Sequence, residues 1–450
     1  MSHECFSVNL NNKIKNFNKI ISADSDKSIS IRSFIIGSMS EDISKVKNVL
    51  ESEDVYSTIK CLKKLGSKIV RVSKGEYNVY GKGLGSFNCK RNTELNFGNS
   101  GTAARILIGA LSVNPNIRVK LTGDKSLNKR SMFKIIKIME KFGATFLPKK
   151  KYHFPITLIS SEIPIGINFE SGMSAQIKSA VIMAGLYSHG KTNIFEKINS
   201  RDHTEKMLSH NKKVIRIKNS KKNIIEINGK KKLKLIDITV PGDPSSAAFF
   251  SALCLLKEKS KLIIKKVQIN PRRIGFYRIL KKHGAKITFK NVRTISNERV
   301  ADIFVNSSKI KPLKVSKKNF VSCQDEYPIM FAIASFIKGT SVFKGIEDLK
   351  NKESDRIKEM QKIFKQLKIK TEFKNNQLKV FGSQSLHHKN KKIIVKNILD
   401  HRILMSSVII GLLSGIETKI KNFETVKTSS PNFLNLIKFL GGKFEIKKIS

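Results

Sequence analysis

Hydrophobic and polar positions along the chain repeat one pattern. An amphipathic helical run ends in basic and apolar residues, meets a glycine, and gives way to a short strand. It reads CLKKLGSKIVRV around Gly66, IMEKFGATF around Gly143, ILKKHGAKITF around Gly284 and IKFLGGKFEI around Gly441. Two weaker copies, MLSHNKKVIRI and FKQLKIKTEF, put Asn211 and Lys368 at the turn. Glycine supplies the left-handed residue that closes a helix, and asparagine is the next best substitute. The pattern therefore predicts that conformation at Asn211 and makes Lys368 the poorest fit. The turns are 77, 68, 73, 84 and 73 residues apart, so six units of about 75 fill the 450 residues. A period of that length implies a repeated α/β supersecondary unit, and six copies divide into two lobes of three. Pro241-Gly242-Asp243-Pro244 reads as one linker and Ala23–Asp26 as a second. The expected division is 1–25 with 243–450 in one lobe and 26–242 in the other.

Composition narrows the class. Apolar residues make up 40% and charged residues 27% of the chain, enough core to exclude wholesale disorder. The longest apolar runs, Phe249–Leu256 and Ile403–Leu413, fall short of the ~18 residues that span a bilayer. The N-terminal MSHECFSVNLNNKIKNF has no apolar signal core, so a cytoplasmic location is expected. Five widely spaced cysteines, none in a CxxC pair, argue against a disulfide scaffold or a zinc site. The formal charge of +51 invites a nucleic-acid reading. However, the excess is mostly Lys spread along the whole chain, beside plentiful Asn, Ile and Phe and no Trp, which is the mark of a compositional bias.

Four segments share a form with chemical meaning: a polar or glycine-rich turn, basic residues, then an apolar helix. In SADSDKSISIRSFIIGS, Asp26 reads as an N-cap, and Ser28 and Arg32 share a helical face beside Lys27. In NFGNSGTAARILIGAL, Asn99, Ser100, Gly101 and Thr102 form a turn that opens a helix, with Arg105 one turn in. In LKNKESDRIKEM, Lys352 and Arg356 are four apart with Glu353 and Asp355 among them, and in LDHRILMSSVIIGLL Arg402 begins an apolar helix. A cation in a first turn opposes the helix dipole. Its recurrence predicts an anionic ligand at these ends. Three further places stand out. Ser174 and Gln176 lie at the entrance of SAQIKSAVIMAGLY. Arg201, Asp202 and His203 lie together, and His203 alone is more often a structural hydrogen-bonding residue than a base. Asp325-Glu326 precedes the helix IMFAIASF, as a cap or, near shared cations, a general base.

Taken in order, these residues resemble the 5-enolpyruvylshikimate-3-phosphate synthases. The resemblance is carried by DKSIS-IR (26–32), GNSGTAAR (98–105), LTGDKSLNKRSM (121–132), SAQIKSAVIMAGL (174–186) and SRDHTEKML (200–208). It continues through VPGDPSSAAFF (240–250), NPRRIG (270–275), DEYPI (325–329), KESDRI (352–357) and DHRILM (400–405). It implies a two-lobed α/β fold of three βαβαββ repeats per lobe, an inside-out α/β barrel, with the active site in the cleft between the lobes. It also implies transfer of the enolpyruvyl group of phosphoenolpyruvate to the 5-hydroxyl of shikimate 3-phosphate, with release of phosphate, in the shikimate pathway. The implied enzyme is monomeric, needs no metal or organic cofactor, and has no nucleic-acid or membrane partner.

Carried over by position, Lys27, Asn99, Gly101, Arg130, Arg356, Arg402 and Lys427 would bind phosphoenolpyruvate. Lys27, Ser28, Arg32, Ser174, Ala175, Gln176, Arg201, Asp325 and Lys352 would bind shikimate 3-phosphate. Asp325 would accept the hydroxyl proton, while Glu353 and Lys27 would move the proton of the methylene carbon. A glycine at 101 implies room for the inhibitor glyphosate. This chain departs from the family pattern at Asp24-Ser25, where Pro-Gly is usual, at Ile31 for His and at Ser131 for Pro; none removes a charge assigned to chemistry. The nearest alternative is the enolpyruvyl transferase that uses UDP-N-acetylglucosamine. SAQIKSA and SRDHTEKML favour shikimate 3-phosphate over it. A basic nucleic-acid-binding protein would explain the charge, but not DEYPI and KESDRI.

Overall fold

The structure is a computed structural model and describes residues 5–219, 223–383 and 392–448. The chain divides into two compact units. One comprises Met1–Asp24, Pro241–Thr294 and Arg299–Ser450, and the other Ser25–Val240 with Ile295–Glu298. The chain thus passes between units at Asp24–Ser25 and Val240–Pro241. The short excursion Ile295–Glu298 has no counterpart in the sequence-based division.

Among the described residues, six four-stranded sheets, three in each unit, share one design: a parallel pair whose inner strand also pairs antiparallel with a third strand. In the second unit, strand Thr93–Asn96 runs parallel to Arg118–Thr122, which pairs antiparallel with Ile156–Ile159 and through it with Thr145–Leu147. Helices between the strands complete a βαβαββ unit. The first sheet of each unit is closed by a strand from the far side of the chain crossing. Ile238–Thr239 joins Glu41–Lys47, and Asn18–Ser22 joins Lys261–Gln268. The Lys- and Asn-rich stretch 209–235 holds Ile215–Asn219 and Asn223–Asn228 as an antiparallel pair; residues 220–222 lie outside the described residues.

The predicted turns are left-handed at Gly66, Gly143, Gly284 and Gly441, with φ of 83°, 92°, 98° and 92°. The two weaker copies reverse expectation. Lys368 adopts φ 55°, whereas Asn211 is not among the positive-φ residues. Asn211 instead accepts a hydrogen bond from the Lys234 amide through its side-chain Oδ1, at 2.9 Å.

Each unit has its own apolar core. The helices in it are buried on every side, as the apolar runs require: Lys27–Met39, Gly101–Leu111 and Ala175–Tyr187 in one unit, Pro244–Leu256, Tyr327–Ser335 and His401–Ser414 in the other. Such helices leave only their ends to meet solvent, so polar chemistry collects at their N-termini. Strands press closely on them. A Cβ at Gly81 would lie 2.1 Å from the Ser40 carbonyl oxygen, which no side chain tolerates. No helix among the described residues is long and apolar enough to cross a membrane.

Candidate active site

In the unit Ser25–Val240, Asp26 caps helix Lys27–Met39 by accepting from the Ile29 amide at 2.9 Å, as its sequence predicts. Lys27 then sits on the first turn with its ammonium 2.9 Å from Asp54 Oδ2, a carboxylate that is itself buried. One turn on, Arg32 is only 3% exposed. Its Nη1 donates to the Ser28 carbonyl at 3.0 Å, Nε to Thr204 Oγ1 at 2.9 Å and Nη2 to Ser179 Oγ at 3.0 Å. These hydroxyl and carbonyl acceptors fix the direction of the guanidinium.

Helix Gly101–Leu111 starts at Ser100, whose hydroxyl accepts from the Ala103 amide. Asn99, just before it, accepts from Arg130 Nη2 at 2.6 Å and donates to Asp124 Oδ2 at 2.6 Å. Arg105 donates to Gln176 Oε1 at 2.7 Å, and Gln176 donates to Thr102 Oγ1 at 2.9 Å. Gly101 lies within this network: a Cβ there would be 2.8 Å from Arg105 Nη1 and 3.1 Å from Arg130 Nη1. Ser174 caps helix Ala175–Tyr187, with Ala175 buried behind it. Arg201 lies half-buried in the segment between strand Lys191–Glu196 and helix His203–Leu208. That segment is anchored by fully buried Lys178, whose ammonium is 2.6 Å from both Glu196 Oε1 and Glu205 Oε1. Burial pushes the Glu205 carboxyl up, against the opposing pull of Lys178.

The other unit carries the second set. Arg356, 1% exposed, opens helix Arg356–Gln366. Its Nε is 2.9 Å from Asp400 Oδ2 and its Nη2 2.7 Å from Glu353 Oε2. Burial works against this charge, but Asp400 and Glu353 outweigh it and hold the guanidinium above its ordinary value. Asp400 in turn caps helix His401–Ser414 by accepting from the Arg402 amide. The Arg402 side chain is 6% exposed and lies over the Phe249 ring, 5.8 Å from its centroid; its Nε has no hydrogen-bond partner among the described residues. Asp325, half-buried, is flanked by two guanidiniums. Arg273 Nη1 is 3.7 Å from Oδ2 and Arg356 Nη1 is 3.7 Å from Oδ1. Lys352 donates to Gln324 Oε1 at 2.7 Å.

Several expectations change. Lys352 and Arg356 do not share a helical face. Lys352 ends the 3₁₀ turn Glu347–Asn351, and the helix begins only at Arg356, because Asp355 takes the cap by accepting from the Lys358 amide. Glu326 holds the cap position of helix Tyr327–Ser335 without a side-chain cap bond, and instead accepts from the Ser245 hydroxyl. Lys427 is exposed, with its ammonium over the Phe6 ring; no hydrogen bond or ion pair ties it to Arg356 or Arg402 among the described residues. His203 is held 2.8 Å from Glu298 Oε1, in keeping with a structural residue. Asp202, His203 and Glu298 come close enough to suggest a cation site, but the Lys206 ammonium, 2.8 Å from Glu298 Oε2, already supplies the positive charge. Sequence reading passes over Asp54, Asp124, Asp400, Gln324 and Arg273. Each lies at least 25 residues from the group it orients, where no local pattern can show it.

This fold places the chain among enolpyruvyl transferase structures. It is similar to EPSP synthase from Acinetobacter baumannii, with a TM-score of 0.84 and 32% identity, covering 98% of this chain and all of that one. It also resembles, in fold, the enolpyruvyl transferase NikO from Streptomyces tendae, at a TM-score of 0.77 and 11% identity over 99% of this chain and all of that one. Residues 11–437 match the family described as EPSP synthase (3-phosphoshikimate 1-carboxyvinyltransferase). Relatives bearing the latter name include one from Zymomonas mobilis, 37% identical over 94% of this chain and 93% of that protein. Another, from Sulfurihydrogenibium sp., is 38% identical over 94% of this chain and 97% of that protein. The chain belongs to the EPSP synthase family. Its activity is the transfer of an enolpyruvyl group from phosphoenolpyruvate to shikimate 3-phosphate, a step of the shikimate pathway.

Proposed function

We propose that the two sets of residues serve one pair of substrates, with the division of labour expected from the family pattern. The reaction brings two phosphates and a carboxylate together, so it needs fixed cations whose cost of assembly has already been met in folding. Lys27, Arg130, Arg356 and Arg402 hold phosphoenolpyruvate, with Asn99 orienting Arg130 and Gly101 leaving space beside it. Ser28, Arg32, Ser174, Gln176, Arg201 and Lys352 hold shikimate 3-phosphate. The substrate's 5-hydroxyl attacks the second carbon of phosphoenolpyruvate and gives its proton to Asp325. The methylene carbon gains a proton through Lys27 or Glu353. The tetrahedral adduct then returns a proton from the resulting methyl group and expels phosphate, leaving the enol ether. The glycine at position 101 makes glyphosate an inhibitor that competes for the phosphoenolpyruvate side.

The observation that carries the base assignment is Asp325 itself. It is a half-buried carboxylate between two buried guanidiniums, which stabilise its anion. The test is phosphate release from phosphoenolpyruvate by purified protein, with and without shikimate 3-phosphate. Release that requires shikimate 3-phosphate and collapses in Asp325→Ala is the expected result. Release with UDP-N-acetylglucosamine instead would overturn the substrate assignment.

A further inference from the structure

The segment NPRRIG (270–275) matches the family pattern yet has no part in the scheme above. Its local structure aims one side chain inward. The Asn270 side chain accepts from the Arg272 amide at 2.9 Å and the Asn270 carbonyl accepts from the Arg273 amide at 2.8 Å, closing a tight turn ahead of helix Gly275–Lys282. Arg273 is left 3% exposed. Its Nη2 is 2.7 Å from Asp243 Oδ1 and 3.2 Å from Ser245 Oγ, and its Nη1 faces Asp325. The spacing is fixed by backbone packing. A Cβ on Gly275 would lie 2.2 Å from Ser322 Oγ and 3.0 Å from the Ser322 carbonyl carbon, so the turn is pressed directly against the segment leading to Asp325. Ser245 also donates to Glu326, so the same cluster grips both members of the carboxylate pair.

We propose that Arg273 is a positioning residue for the reaction. It holds the Asp325 carboxylate at a fixed place and in its charged form, opposite Arg356. It acts through Asp325, because its guanidinium is closed off from solvent and engaged by Asp243 and Ser245. The inference rests on the assignment of Asp325 as the base. The charged groups around Asp325 come from several elements: Arg273 from the turn, Arg356 from its helix, and Glu326 beside it. Asp243 and Glu353 bear on it through their pairing with those two guanidiniums, and Lys352 through Gln324. A carboxylate held between cations stays ionised to lower pH. Losing one of them raises the pH at which the base becomes available.

The experiment is steady-state kinetics of the full chain across the pH range, with Arg273→Gln, Arg273→Lys, Asp325→Asn and the Arg273→Gln/Asp325→Asn pair. Arg273→Gln is expected to lower kcat by about 10- to 100-fold, the scale of one misplaced acid–base group. The KM values should hold within about threefold, and the acid limb of kcat/KM should move to higher pH. Arg273→Lys should recover most of the loss. With Asp325 already changed, Arg273→Gln should cost nothing further, since the two act as one unit. If Arg273→Gln alone unfolds the protein by stranding Asp243, the neutral pair Arg273→Gln/Asp243→Asn gives the same readout. Unchanged kcat and acid limb in folded variants, with Asp325→Asn inactive, would overturn the role of Arg273 alone. So would an equal loss with and without Asp325. Full activity in Asp325→Asn would instead overturn the base assignment, and the positioning role with it.

Discussion

Replacing Gly101 by alanine tests the geometry of the phosphoenolpyruvate side through a single methyl group. Gly101 is the first residue of a helix and has no left-handed backbone to strain. Alanine there should leave helix stability unchanged or raise it by up to ~1 kcal/mol. The methyl, however, would stand 2.8 Å from Arg105 Nη1 and 3.1 Å from Arg130 Nη1, both too close for carbon. Neither guanidinium can swing away without loss. Arg105 is bonded to Gln176 at 2.7 Å, and Arg130 to Asn99 at 2.6 Å, with Asn99 pinned by Asp124 at 2.6 Å. A hydrogen bond to a charged group is worth ~1.5–3 kcal/mol. Displacing one or two such groups by a few tenths of an ångström forfeits part of that, ~1–2 kcal/mol in the grip on an anion. The phosphoenolpyruvate KM should therefore rise about 5- to 30-fold while the melting temperature stays within a few degrees. The assay is initial rates at saturating shikimate 3-phosphate, repeated with glyphosate. The inhibition constant for glyphosate should rise by more than the KM, because the added methyl occupies its space directly. A KM within about twofold of the parent, or unchanged inhibition, would refute the reasoning.

Three other outcomes follow from buried groups. Lys178→Met strands two carboxylates, Glu196 and Glu205, in the core of one unit, and should cost ~3–5 kcal/mol in denaturant unfolding. Asp24 is buried, and that burial raises its pKa despite hydrogen bonds from Ser430 and Asn432. A raised carboxyl favours the folded state below its unfolded pKa, and the benefit disappears as pH rises through the higher folded value. The stability of Asp24→Asn relative to the parent should thus improve as pH rises above the ordinary carboxyl value of 3.8, measured by thermal melts. Burial pushes the Cys61 and Cys254 thiols up to about 12, so alkylation at neutral pH should label exposed Cys5 and partly exposed Cys89, sparing both in the folded protein.

How much of this was legible in the sequence follows from the range of the forces involved. The sixfold repeat was readable because it depends on local demands: a helix must end, and glycine ends it cheaply in the left-handed region. Even there Lys368 took that conformation and Asn211 did not, since the Asn211 side chain found an acceptor role against the Lys234 amide that no local pattern encodes. Lys27, Arg356 and Arg402 were readable by type and by position at helix starts, whereas Lys352 was not, since it ends a 3₁₀ turn. The distant partners of the charged groups were not readable: Asp54 for Lys27, Asp400 for Arg356 and Arg273 for the Asp325 carboxylate are separated by 27, 44 and 52 residues.

The overall charge was the least informative feature. A formal +51 marks the whole chain, whereas three of the five arginines assigned to the substrates stand apart by burial, with Arg32, Arg356 and Arg402 at 3%, 1% and 6% exposure. An exposed lysine such as Lys427 is screened by water and salt, so adding more of them changes little at any one point. Arg402, in contrast, is a buried guanidinium lying over the Phe249 ring at 6% exposure. On the proposed assignment, the selectivity of the site rests on a few desolvated arginines held by distant carboxylates and hydroxyls, and the surface lysine excess contributes only a diffuse background field.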